Sequence, residues 1–104
     1  MALKWCTFNG QGTPTIFDQS GVTSLTDNAA ADYTVNFTDA FTDENYVVAG
    51  SGKFDTGDND FNVPWVGVRF GAGNPAVGST RIGVWSSGGG IDWEYIAFAA
   101  VGPD

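Results

Sequence analysis

The sequence predicts an all-β fold: a single antiparallel β-sandwich or jelly-roll-like domain of about eight short strands, spanning residues 1–104. Three observations carry this. The strong helix formers are scarce, with Leu, Glu, Lys and Gln present twice each and Met once. Gly accounts for 15 of 104 residues, about twice its usual share of roughly 7%, and with Asn and Asp it supplies turn signals along the whole chain. Between those signals apolar and polar residues alternate. The alternation is clearest over Asp32–Thr38, where Tyr33, Val35 and Phe37 fall on one face and Thr34, Asn36 and Thr38 on the other.

Leu3–Phe8 reads as the first strand, closed by an Asn9-Gly10 turn. Thr15–Asp18 and Val22–Thr26 read as short strands around a Gln19-Ser20-Gly21 turn, with Asp27-Asn28 starting the next turn. Asp32–Thr38 follows, then Ala40-Phe41 as the anchor of a connection, then Asn45–Gly50 as a strand. Pairing of Tyr33–Phe37 with Tyr46–Val48 is expected, because it sets aromatic and β-branched side chains opposite each other. Ser51–Asn62 is polar. Val63–Phe70 resumes the strand pattern, with Pro64 suited to a strand start or an edge. Gly71–Ser79 is a loop, Thr80–Trp85 a strand, Ser86–Gly90 a turn, and Ile91–Val101 a last strand that is apolar on both faces. No repeat or linker interrupts the chain.

Composition excludes several functions. The absence of His removes Ser-His-Asp, Cys-His and His-zinc arrangements together, and the single Cys removes an intrachain disulfide and a multi-Cys zinc site. A net charge of −8 argues against nucleic acid as a partner, since no basic stripe is present to displace counterions. No apolar run reaches the length of a membrane-spanning helix, so no membrane insertion is expected. The opening Met1–Cys6 lacks the apolar core of a signal peptide. The sequence therefore predicts a protein that is not an enzyme and that needs no cofactor.

The candidate sites are few. Asp55, Asp58 and Asp60 flank Gly57, and hard cations such as Ca²⁺ favour converging oxygens of this kind. The spacing departs from an EF-hand, however, because Gly57 comes too early and Val66 stands where the closing Glu belongs. A solvated acidic loop is the expectation there, with no tight metal. Asp92 and Glu94 alternate at a strand start, as rim residues do. Cys6 has no base to activate it and reads as a small buried hydrophobe. Asn36-Phe37-Thr38 matches a glycosylation sequon but sits on the polar side of a strand. The chain has 4 Trp, 3 Tyr and 8 Phe, more aromatic surface than one small core readily hides, so some should lie at an interface or a ligand surface. The glycine-rich loops at 71–79 and 86–90 place candidate partner contacts at Asn74 and Trp85.

The segments Trp5–Thr13, Ile16–Asp18, Val22–Asn28, Asp32–Thr38 and Phe41–Val48 resemble the signature of a family of small bacteriophage virion proteins and tail-fibre end domains. The segment Asp32-Tyr33-Thr34-Val35-Asn36-Phe37-Thr38 is the most specific part, and the resemblance covers residues 5–48. It implies a virion structural protein, made in the host cytoplasm and placed on the tail or the outer capsid surface. Its implied partners are other virion proteins and a host surface receptor or glycan. A tail-fibre or appendage component contacting the host is the first expectation. A capsid decoration protein of cement or head-fibre type, and a carbohydrate-binding β-sandwich module, are the alternatives. The length and Met1 favour a small stand-alone component over a piece of a long fibre. The aromatic excess and the apolar last strand predict self-association, and the resemblance implies that the assembly is a homotrimer.

Overall fold

The computed structural model describes residues 1–52, 65–69, 71, 73–86, 89–90 and 93–103. All regular structure among them is β: β1 (Ala2–Asn9), β2 (Thr15–Ser20), β3 (Val22–Ala29), β4 (Asp32–Phe37), β5 (Val47–Gly52), β6 (Trp65–Val68), β7 (Ser79–Ser86), β8 (Gly89–Gly90) and β9 (Ile96–Gly102). Every pairing is antiparallel, in the order β2-β1-β9-β5-β6-β7-β4-β3, with β8 beside β7. Among the described residues, the β5–β6 ladder pairs Ser51 with Trp65. The two halves of this order, β2-β1-β9-β5 and β6-β7-β4-β3, lie as two layers packed across one core. The fold is the antiparallel all-β architecture that the composition predicts.

The layers meet through the inward halves of the strands. Cys6 and Phe8 of β1 and Ile96, Phe98 and Ala100 of β9 face Tyr33, Val35 and Phe37 of β4 and Ile82 and Val84 of β7. Phe8 packs edge-to-face on Tyr33 at 5.2 Å, and Phe98 stacks on Phe37 at 6.3 Å, so residues far apart in strand order touch across the core. Each fully buried large side chain contributes roughly 1.5–3 kcal/mol of transfer free energy. The Tyr33 hydroxyl donates to the Gly10 carbonyl at 2.9 Å. A Cβ at position 10 would lie 2.3 Å from that hydroxyl oxygen, so Gly10 is fixed by close approach as well as by the turn. Lys4 closes one end of the core with its ammonium 4.8 Å from the Phe41 ring centroid.

Local expectations are corrected at several points. β4 does not pair with Tyr46–Val48; it lies between β3 and β7, while β5 lies between β9 and β6. Tyr46 does meet Phe37, but across the core, edge-to-face at 5.7 Å and 83°. The aromatic match therefore works through the layers and not along a ladder. The turn expected at Asp27-Asn28 falls at Ala30-Ala31 instead, with Ala31 at φ 59°. Asn28 sits at a register shift between β3 and β4, and its side-chain amide donates to Thr34 Oγ1 at 2.9 Å, which holds it within the strand. The Ala31 carbonyl accepts the Val84 N–H at 3.0 Å and so anchors the strained turn.

The turn expected at Gln19-Ser20-Gly21 falls on Gly21, with Gln19 and Ser20 closing β2, and it joins two strands that do not pair. Gly21, at φ 75°, is a corner at which the chain leaves one layer for the other, and its carbonyl accepts the Thr38 N–H. The strand expected over Ile91–Val101 runs over Ile96–Gly102, with Trp93–Tyr95 outside it and Ile91 and Asp92 outside the described residues. Trp93 is buried ahead of it, and the Trp93 carbonyl accepts the Gly10 N–H at 2.8 Å. Ala97 and Ala99 face outward and are half-buried. Gly89–Gly90, expected in a turn, pair with Ser86 and Trp85 of β7.

Candidate ligand groove on the outer face of β6 and β7

Alternation fixes which side chains leave the core. On β7, Thr80, Ile82 and Val84 point inward and are buried, so Arg81, Gly83 and Trp85 point outward. On β6, Val66 packs inward and Trp65 and Gly67 point outward, followed by Arg69. The ladder sets Trp65 opposite Trp85 and Gly67 opposite Gly83, and the Arg69 N–H donates to the Arg81 carbonyl at 3.0 Å. The outer face thus has three rows: a tryptophan pair, a glycine pair and an arginine pair. Four residues of strand separate the outer rows, about 13 Å. Both tryptophans stay in water, Trp65 at 54% and Trp85 at 45% exposure.

The glycines open this surface. A Cβ at Gly83 would meet Trp85 Nε1 at 2.9 Å and Arg69 Cγ at 3.5 Å, so the indole and the arginine stem both lean over that position. Above Gly67 nothing lies within 4 Å. The result is a groove of about 330 Å³ lined by Trp65, Gly67, Arg69, Gly83 and Trp85, at the lower end of the range for small-molecule sites.

Asp32 lies under the arginine row, next to Gly83 in the ladder, and is 4% exposed. Arg81 binds it with two hydrogen bonds, Nε to Oδ1 at 2.8 Å and Nη2 to Oδ2 at 2.5 Å. Arg69 Nε reaches the same carboxylate at 3.7 Å, beyond hydrogen-bond range. The Arg81 hydrogen bonds hold the Asp32 carboxyl below its usual range. Burial opposes them, while the Asn28 amide and the charge of Arg69 add to the lowering. In return Asp32 raises the Arg81 guanidinium further.

Of the residues singled out from sequence, Trp85 stands in the groove. Asn74 acts as a clip behind it. Its side-chain amide donates to the Arg69 and Arg81 carbonyls at 2.5 and 3.0 Å, and its Oδ1 accepts the Arg81 N–H at 2.8 Å. Its polar groups hold the two arginine-bearing strand ends together and are spent within the protein. Asp55, Asp58, Asp60 and Asp92 lie outside the described residues; Glu94 is exposed. Among the described residues no three His, Cys, Asp or Glu side chains gather as metal ligands. Cys6 is buried, which pushes its thiol up to about 12, and a thiol so far from ionising is no nucleophile at neutral pH. The Asn36 amide is engaged with Ser24 Oγ and Thr26 Oγ1.

Sequence reasoning missed Trp65, Arg69, Arg81 and Asp32 as one constellation. The signal was present: Trp65-Val66-Gly67-Val68-Arg69 and Arg81-Ile82-Gly83-Val84-Trp85 are near mirror images in sequence. Antiparallel pairing of two such segments brings like residues together. Comparison of the chain with protein families, curated proteins and solved structures finds no match.

Proposed function

We propose that this chain is a binding module without catalytic activity. It serves as a structural protein of a bacteriophage virion, in a tail fibre or similar appendage, and contacts the host surface with the β6–β7 groove. The observation that carries the binding role is the pair of exposed tryptophans, opposite each other beside a glycine floor. Large exposed aromatics on a rigid sheet suit recognition, since they offer contact area with little side-chain entropy to lose. The virion assignment is supported by the resemblance of residues 5–48. The other outer face, on β1, β9 and β5, is the side for other virion proteins, first of all further copies of the chain as a homotrimer. Its outward positions carry no charge, so chains of net charge −8 meet there without opposing carboxylates.

Labelling of the protein in purified virions by electron microscopy tests this reading. Signal at the tail periphery is the expected result. Signal spread over the head would replace adhesion by capsid decoration. Absence from virions would end both virion roles and leave the carbohydrate-binding module, which the tryptophan pair equally favours.

A further inference from the structure

We propose that the β6–β7 groove takes a carboxylate-bearing saccharide, a hexuronate or sialate type of sugar. This rests on the reading of that face as the contact surface. The tryptophan row stacks on the apolar face of a sugar ring, and Arg69 receives the carboxylate.

Charge placement is the first argument. The sequence has two arginines, Arg69 and Arg81, within a total of 4 Lys and Arg against 12 Asp and Glu. Both arginines stand in neighbouring positions of this face. Among the described residues one carboxylate, Asp32, answers both of them, and Arg81 already holds it with two hydrogen bonds. The cluster keeps a surplus positive charge on a protein of net charge −8. Asp32 itself displays the ligand geometry in miniature, since a planar carboxylate fits the fork of a guanidinium.

Shape is the second argument. The space above Gly67 is open and lies between Trp65 and Arg69, which are 37% or more exposed at their side chains or as whole residues. Two rows about 13 Å apart match an extended saccharide of roughly two rings, with one ring on an indole and the acidic group at the arginine end. The acidic character of the rest of the chain disfavours a densely charged polyphosphate such as nucleic acid, whose binding needs many cations. A sugar with isolated carboxylates meets a local positive charge without that demand.

The test uses the intact chain and a panel of immobilised galacturonate and sialyl oligosaccharides, each paired with its carboxyl-reduced neutral counterpart. Whole host-cell envelopes serve as a separate probe. The expected result is retention on at least one acidic glycan, with affinity about tenfold lower for its reduced form, the loss that follows from removing a charge-assisted hydrogen bond. Arg69→Gln reproduces that loss on the acidic form and leaves the reduced form unaffected, whereas Trp65→Ala weakens both. Equal affinity for reduced and acidic forms, or no retention on any acidic glycan, overturns the inference; the comparison of ligands decides this with the wild-type protein even where a variant folds poorly. The broader reading fails separately, through envelopes that retain wild type and a folded Trp65→Ala, Trp85→Ala double variant equally.

Discussion

The two outer faces of this molecule are built by the same rule from different residues. On β1, β9 and β5 the outward positions align in rows across the ladder: Leu3, Val101 and Val47, then Trp5, Ala99 and Ala49. Leu3 and Val47 are 55% and 68% exposed. On β3, β4, β7 and β6 the corresponding positions carry Ser24, Thr26, Thr34, Asn36, Arg81 and Trp85. The inward halves of both layers are interchangeable in kind, Phe, Tyr, Ile and Val meeting in one core. Folding alone asks nothing more of the outward halves than β-propensity. The faces nonetheless differ: one is apolar, and the other is a hydrogen-bonded polar surface ending in two tryptophans.

The sharpest way to break this contrast is a charge in the middle of the apolar face. Ala99 lies between Trp5 and Ala49. If the proposed homotrimer forms through this face, Ala99→Glu is expected to convert it to monomer in sedimentation analysis, because burying like charges opposite each other in every copy costs several kcal/mol. The monomer should keep its far-UV spectrum, since the substituted position does not enter the core. A wild-type protein that sediments as a monomer at all concentrations would remove the assembly role from this face.

What the sequence made legible, and what it hid, follows the same division. The inward half of β4 was plain, because Tyr33, Val35 and Phe37 must share a face at a period of two. The partner of that strand was not, since a strand rich in aromatics satisfies the pairing rule along the sheet or across the core. Phe37 took Tyr46 across the core. The groove stayed hidden for a different reason. Trp65 and Trp85 are separated in sequence by a glycine-rich loop, and only the antiparallel register makes their mirrored surroundings coincide. Asp32 opens the strand, and alternation alone gives it no role. It is buried because two arginines from another hairpin close over it.

That buried carboxylate gives the second prediction. Its folded-state pKa is lowered, so it contributes stability that is complete above the ordinary carboxylate value of about 3.9 and is lost as pH falls through the lower folded value. Asp32→Asn is expected to reduce the unfolding free energy at pH 7 by about 1–3 kcal/mol, the range for a hydrogen bond to a charged group. The gap between wild type and variant should narrow as the pH falls below the ordinary carboxylate value and through the lower folded one. Urea unfolding across that pH range measures it; a gap that stays constant down to pH 2 would mean the Asp32–arginine cluster is not what the carboxyl contributes. Because the same carboxylate binds Arg81 and faces Arg69, the variant is expected to lower the affinity of the groove for the acidic saccharide proposed above, whereas Ala99→Glu should leave single-site affinity unchanged.

The smallest expected effect lies on the polar face away from the groove. Asn36 donates to Ser24 Oγ at 3.1 Å and to Thr26 Oγ1 at 3.2 Å, and Asn28 donates to Thr34 Oγ1, so short polar side chains of β3 and β4 form a connected surface. These groups face water, where each protein hydrogen bond replaces one to solvent, and the net contribution is modest. Asn36→Ala is expected to lower the unfolding free energy by about 0.5–1.5 kcal/mol, with the urea m-value unchanged because the core is untouched. Asn36→Val separates the two causes. Valine restores β-propensity but not the hydrogen bonds, so a Val variant as weak as the Ala variant assigns the loss to the polar network. A Val variant equal to wild type would assign it to strand propensity instead, and the polar face outside the groove would then be tolerant of apolar residues, differing from the β1-β9-β5 face by composition but not by any structural demand.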